Sequence, residues 1–362
     1  MLPACRTADE TFAIPQFALT RSDIDPFMDE LRGFHTAFRA CFARQEPRDQ
    51  FFNSMVGQCS ALERKSIEPM ALQVEGGKVR AMQRLVSDAL WDEAAMLETY
   101  HHLVQDEMGE PDGVLIVDET GFVKKGADSA GVARQYCGSL GKVGNCQVGV
   151  FAAYASRQGY ALVDKRLFIP EPWFSDAYTA RRTKCKMPEE VPWQTKPQLA
   201  AAMVQDLHGA GVLPCKYIVA DCLYGNSPDF WAACEACVGT VALMATPADT
   251  RGWLQPLATT THTYTYKGEL RTKRVAVTAT PPGTVAELAQ AIPSTFWYRR
   301  TVSAGTKGPI TYEFARKRIM LCKDEQPTTA VWLLIKRSLG AHPQYWYYLS
   351  NAPLSTPLRV LV

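Results

Sequence analysis

The 362-residue sequence predicts an α/β protein with a helical N-terminal part and a β-rich segment toward its C-terminus. Three observations lead there. Apolar residues recur at helical spacing from about Asp25 to Gly109. From Val114 to about Thr246, short apolar runs alternate with helix-forming stretches. From about Asp249 to Gln344, aromatic and β-branched residues alternate around Gly-containing turns.

In the helical part, Asp25-Pro26 reads as a cap followed by a first-turn proline. Phe27, Leu31, Phe34, Phe38, Cys41 and Phe42 then recur on one face. Phe51, Phe52, Met55 and Val56 open a second helix. Met82, Leu85, Val86, Ala89 and Leu90 make a third. Met96, Leu97, Tyr100, Leu103 and Val104 make a fourth, after a break near Trp91-Asp92. Arg44, Arg48, Arg64, Lys65, Lys78, Arg80 and Arg84 dot the region. A helical DNA-binding domain looks like this, and so does any bundle with a solvated face.

In the middle part, Val114–Val117 is a short buried strand. Cys146–Tyr154 and Tyr160–Ile169 are two more, joined by a turn at Arg157-Gln158-Gly159. Lys196–Leu207 is a helix closed by Gly209–Gly211. Lys216–Ala220 is a further buried strand, Ser227–Cys237 a helix and Thr240–Ala245 a strand. The first and fourth strands each stop on an acid, Asp118 and Asp221. A strand ending on an acid, a hairpin, a helix and a second such strand is the order of a ribonuclease-H-like sheet, whose two strand ends lie side by side. Carboxylates brought together there repel each other unless a cation sits between them. Such a hard oxygen site suits Mg²⁺ or Mn²⁺. Acids at strand ends also serve as plain turn and cap residues.

The β-rich part reads as a hairpin over Thr261–Val277 turning at Lys267-Gly268, and a second over Phe296–Leu321 turning at Ala304–Pro309. VWLLIKR and YWYYLSNAP add two strands. Trp297, Tyr298, Trp346 and Tyr347 could stack on unpaired bases, or pack in the segment's own core. The domain boundaries expected are a helical domain over 1–110, a ribonuclease-H-like core over 111–248, a β-rich insertion over 249–344, and a last core strand with the C-terminus over 345–362.

Composition narrows the function classes. With 39 basic and 37 acidic residues, net charge points neither to nucleic acid nor away from it, because binding depends on local patches. The N-terminus carries early acids and lacks a signal-peptide apolar core, and no run approaches a membrane span. Eleven scattered cysteines suit reduced thiols in a cytosol. Cys234 and Cys237 form the one CxxC, read as two thiols on a buried helix rather than a zinc site. CGSLGKVG lacks the P-loop spacing.

Five blocks carry a resemblance. LIVDETGFVKKG (Leu115–Gly126), RQYCGSLGKVGNCQVGV (Arg134–Val150), YIVADCLYG (Tyr217–Gly225), LERKSIEPMA (Leu62–Ala71) and PEEVPWQTKPQLA (Pro188–Ala200) resemble the DDE-type insertion-sequence transposases, in the branch described as DDE superfamily endonucleases. The resemblance covers roughly Phe34 to Pro353. It argues against an unrelated metal-dependent nuclease of the same fold. It implies an α/β ribonuclease-H-like core with three metal-binding acids, of which Asp118 is the first and Asp221 the second by motif position. It further implies hydrolytic nicking of DNA at element ends and attack of the freed 3′ hydroxyl on target DNA. A homo-oligomer on paired ends and a bacterial, cytoplasmic, nucleoid-associated location follow from the same likeness. Glu119 is adjacent to the first acid, but strand alternation points it to the other face, so no metal role is assigned to it.

The third acid of the family is a Glu on a helix after the last core strand. Here that strand reads as Tyr345–Ser350, and no Glu or Asp follows Glu325. Glu313 and Glu325 lie before it, and the role passes to neither. The expectation is a chain truncated before its third acid, with one sheet face uncovered, that cleaves poorly or not at all. The alternative function is then a catalytically inactive DNA-binding remnant. Candidate phosphate contacts are Lys124 and Lys125 just past Asp118, Arg134 and Lys142 beside the Gly-rich loop, and the basic run Arg181, Arg182, Lys184 and Lys186. Each could equally be a solvated loop residue.

Overall fold

The structure, a computed structural model, describes residues 21–305 and 308–362. The chain divides into two compact units between Asp106 and Glu107.

The first unit is helical: α1 (Arg21–Ala37), α2 (Gln45–Cys59), α3 (Ile67–Gln73), α4 (Val79–Ser87) and α5 (Glu93–Met108), the last turn of which crosses the division. Phe38, Cys41, Phe42 and Leu85 are buried together, with Phe51, Met96, Tyr100 and Leu103 packed on them. Their helical spacing marked these positions, but Phe27, Phe34, Val86 and Leu90 of the same pattern are exposed. Asp92 accepts the Ala95 N–H at 2.9 Å and so starts α5, which is why the pattern breaks at Trp91-Asp92. Two expectations fail. The chain is already helical at Arg21, so Pro26 lies inside α1 rather than in a first turn capped by Asp25; there it removes one backbone hydrogen bond. Helix α4 ends at Ser87, and Ala89 instead closes a turn by donating to the Arg84 carbonyl at 2.8 Å.

The second unit is built on a twelve-stranded sheet. Its core strands are β1 (Val114–Val123), β2 (Ala133–Cys137), β3 (Lys142–Ala155) and β4 (Tyr160–Phe168). Helices α6 (Thr179–Lys184) and α7 (Lys196–Ala210) follow, then β5 (Tyr217–Ala220), α8 (Cys222–Gly225), α9 (Pro228–Ala236) and β6 (Val241–Thr246). Their order is β4, β3, β1, β5, β6. Strands β1, β5 and β6 run parallel, and β3 is antiparallel to both β1 and β4. Strand β2 pairs with the start of β3.

Strand β1 does not end at Asp118, as the apolar run suggested. It continues to Val123, because every residue to that point keeps a partner on β3, from Asp118 opposite Phe151 to Val123 opposite Cys146. What ends at the acid is the parallel ladder to β5, whose last pair is Val117 and Ala220.

One face of this sheet is covered by α7, which opens with a capping box between Thr195 and Gln198 and ends on Gly211. Its buried Val204 and Leu207 line one small cavity with Leu115, Tyr154 and Ile218. Cys234 and Cys237 are both buried at the end of α9, and burial pushes the Cys234 thiol up to about 12. The opposite face is more open. Leu162, Ala153, Ile116 and Val219 stand in one row across β4, β3, β1 and β5, and Leu162 and Ile116 are exposed.

The sheet then widens. Strands β7 (Arg251–Leu254), β10 (Gly283–Thr284), β11 (Tyr298–Gly305), β12 (Gly308–Lys323), β13 (Gln326–Arg337) and β14 (Tyr345–Ser350) extend it, and β14 joins antiparallel to β6. Strands β8 (Thr259–Tyr266) and β9 (Glu269–Ala276) form a separate hairpin. Its two-residue loop places Lys267 at φ 52° and Gly268 at φ 83°, the doubly left-handed turn whose twist matches a hairpin. In the second expected hairpin, residues 306–307 of the turn lie outside the described residues.

The VWLLI run of β13 is apolar throughout because both of its faces are covered. Val331, Leu333 and Ile335 pack with Val285 and Ala289 of α10 (Val285–Gln290). On the other side, Leu334 packs with Ala352 and Leu361 of the C-terminal segment. Trp297 and Tyr347 join the first of these clusters, so they are core residues. Trp346 lies edge-on to Tyr312 with Lys336 over its ring, and Tyr298 is exposed. Among the described residues no helix is long and apolar enough to cross a membrane.

Candidate catalytic carboxylates

The end of the parallel ladder sets two acids abreast. Val117 lies opposite Ala220, and the next residue on each chain is Asp118 and Asp221. Alternation carries Asp118 to the more open face shared by Ile116 and Val219, while Val117 and Ala220 are buried. Asp118 accepts the Glu119 N–H on Oδ1 at 2.8 Å. Asp221 accepts the Leu223 N–H on Oδ1 at 2.8 Å and thereby caps α8. Among the described residues neither acid forms a salt bridge.

Burial, together with the charges of Asp221 and Glu119, pushes the Asp118 carboxyl above the usual carboxylate range; its bond from the Glu119 N–H and the Lys196 charge oppose this. The folded chain holds this proton to higher pH than the unfolded chain does. Ionising Asp118 therefore costs stability fully above its folded pKa, and the cost vanishes as pH falls below the unfolded value. Asp118→Asn cannot ionise. In a chelator it is expected to raise the melting temperature at neutral pH and to leave it unchanged near about pH 3. A melting series across pH checks this, and an Asn variant less stable at neutral pH would contradict it.

Glu119 lies on the other face, where it meets two residues that sequence reasoning did not single out. Lys196 donates to its Oε1 at 2.9 Å, and the Tyr224 hydroxyl donates to its Oε2 at 2.7 Å. Burial and the neighbouring acids, Glu119 first, push the Tyr224 hydroxyl far up. Lys196 and Tyr224 both sit in blocks that carry the family likeness, but nothing local in either block names Glu119 as partner.

Glu313 is held by Arg337 at 2.8 Å and Arg299 at 3.2 Å, which keep its carboxyl below the usual range, and Glu325 pairs with Arg251. Both acids are thus engaged within the β-rich part. Among the described residues no group of three or more His, Cys, Asp or Glu could hold a metal ion.

Because β1 runs on to Val123, Lys124 and Lys125 lie in the loop at its far end, about 20 Å along the strand from Asp118 rather than just past it. Asn145, opposite Arg134 on β2, donates to the carbonyls of Lys124 and Gly126, so Lys124, Lys125 and Arg134 are neighbours. On the loop's far side Lys184 pairs with Asp128 at 2.7 Å, and Cys185 donates to the Asp128 carbonyl. Arg181 lies over the Tyr178 ring. Arg182 donates to the carbonyls of Trp173 and Ser175, which gives it a structural task. Lys186 is exposed, and Lys142 is exposed at the other end of the β2–β3 pair.

Residues 37–309 match the family model for DDE superfamily endonucleases. The chain belongs to that family. It is also similar to a protein described as "Probable transposase for insertion sequence element IS701" from Microchaete diplosiphon, with 28% identity over 172 residues. That match covers 48% of this chain and 42% of the relative, less than half the length of either.

Proposed function

We propose that the chain is the DNA transposase of an insertion sequence: it nicks DNA at the element's ends with the help of divalent metal ions, and the freed 3′ hydroxyl then joins target DNA. The observation that supports this best is the pair Asp118 and Asp221 at the end of the β1/β5 ladder. The order β4, β3, β1, β5, β6 is compatible with a ribonuclease-H-like core and supports this reading. The two carboxylates offer hard oxygens and uncompensated charge, so the donor set fits Mg²⁺ or Mn²⁺. Asp118 and Asp221 would hold such ions, which when bound would supply activation of an attacking water and charge stabilisation of the leaving oxygen of a phosphodiester. Lys124, Lys125, Arg134, Lys142, Arg181 and Lys186 would hold phosphates of the DNA, with Lys124 and Lys125 about 20 Å along β1 from Asp118. A homo-oligomer on paired ends completes the reading.

A second reading is binding without cleavage. It is favoured by one observation: no third acid joins Asp118 and Asp221 among the described residues. The test is Mg²⁺- or Mn²⁺-dependent nicking of duplex DNA carrying the repeats that flank the gene, read beside a gel shift. On the first reading the chain nicks, and Asp118→Asn and Asp221→Asn lose on the order of 10³-fold in rate while still shifting the DNA. Shifting without nicking by all three supports the second reading. Neither nicking nor shifting contradicts both.

A further inference from the structure

Beyond Val117 and Ala220 no backbone ladder ties β1 to β5, yet the two acids begin there. Side chains on the other face span this gap. Glu119 receives Lys196 at 2.9 Å and Tyr224 at 2.7 Å. Side-chain exposure of Glu119 and Lys196 is only 21% and 18%, and Tyr224 is fully buried, so these charge-assisted bonds work away from bulk water. Tyr224 belongs to α8, the turn that Asp221 caps. Its neighbour Gly225 lies so close to β6 that a Cβ there would fall 2.3 Å from the Ala245 carbonyl oxygen. Lys196 opens α7 and lies 5.5 Å over the Phe168 ring at the end of β4. One carboxylate therefore links the strand that carries Asp118, the turn that carries Asp221 and the helix that covers them.

We infer that Glu119 is a positioning residue: with Lys196 and Tyr224 it holds Asp118 and Asp221 at a fixed separation, so that the two carboxylates take up a divalent cation together. This rests on the metal-dependent reading proposed above. Like charges abreast repel, and a tie on the opposite face resists their drift apart without using either carboxylate. Tyr224 is the cleanest place to cut it, because Tyr224→Phe removes one hydroxyl and keeps the ring.

The test is Mn²⁺ binding to the full chain without DNA, read by the electron paramagnetic resonance of free Mn²⁺. Thermal melting and amide hydrogen exchange of the metal-free protein accompany it. Tyr224→Phe is expected to weaken Mn²⁺ binding about tenfold, to speed exchange over Leu223–Gly225 and to keep a cooperative melt. Glu119→Gln is expected to weaken binding at least as much, because it also strands the Lys196 charge. The double variant Glu119→Gln with Lys196→Met strands no charge and keeps a Tyr224–carboxamide bond, so it is expected to recover part of the loss. Wild-type affinity in Tyr224→Phe would overturn the inference. Should that variant fail to fold, a double variant that binds no better than Glu119→Gln alone would overturn it instead. Asp118→Asn separates the two claims: if it binds Mn²⁺ as tightly as wild type, the metal reading itself has failed.

Discussion

Asp221→Asn is expected to lower Mn²⁺ affinity about a hundredfold while the chain stays folded. The two halves of this expectation have separate causes. The Asp221 carboxylate caps α8 through the Leu223 N–H, and Asn caps a helix as well as Asp does, so the turn should persist. The substitution also removes a negative charge that disfavours ionised Asp118, which adds stability in metal-free buffer. What it deletes is one of two carboxylate ligands, and affinity for hard cations follows the number of charged oxygens. Calorimetric titration with Mn²⁺, beside a melting curve, checks both halves. Unchanged affinity would contradict the assignment, and a collapsed melt would show that the carboxylate is needed for the fold.

Trp173→Ala is expected to cost about 3–5 kcal/mol of stability, the range for deleting a fully buried large aromatic. Trp173 is 0% exposed. Its Nε1 donates to the Val132 carbonyl at 3.0 Å, beside β2, and its own carbonyl accepts from Arg182. Its ring lies 5.4 Å from that of Tyr178, over which Arg181 sits. The loss should therefore also release the basic segment from Arg181 to Lys186, weakening DNA binding and flattening its salt dependence. Trp173→Phe should cost less, because it keeps most of the packing. Chemical denaturation and salt-dependent gel shifts measure the two effects. A cost below about 1 kcal/mol would show that the segment is anchored elsewhere.

The juxtaposition of Asp118 and Asp221 was legible in the sequence because each follows a short buried apolar run, and parallel pairing of those two runs sets the next residues abreast. The length of β1 was not. Its second half, ETGFV, is held by β3 rather than by an apolar pattern, and a ladder to a distant strand leaves no local signature. The VWLLIKR run announced a strand, and the fold shows that it is covered on both sides. Helix α10 was missed although Thr284 and Glu287 form a capping box, because it is only one short stretch within β-rich sequence. Pro26 misled in the opposite direction: a proline marks a first turn only where the helix has not already begun.

The same limit applies to the site. Asp118 and Asp221 could be paired by topology, but Glu119 meets partners 77 and 105 residues away, and no spacing rule predicts such a tie. The positive charges of Arg182 and Lys184 were plain, while their partners, two carbonyls and Asp128, appear only in the folded chain.

The most direct measurement is anomalous diffraction from a crystal of the chain soaked in Mn²⁺. A peak touching the carboxylates of both Asp118 and Asp221, on the face opposite Glu119, is the expected result. A peak elsewhere, or none at this pair when Mn²⁺ is bound in solution, would contradict the assignment of the two acids as a joint metal site.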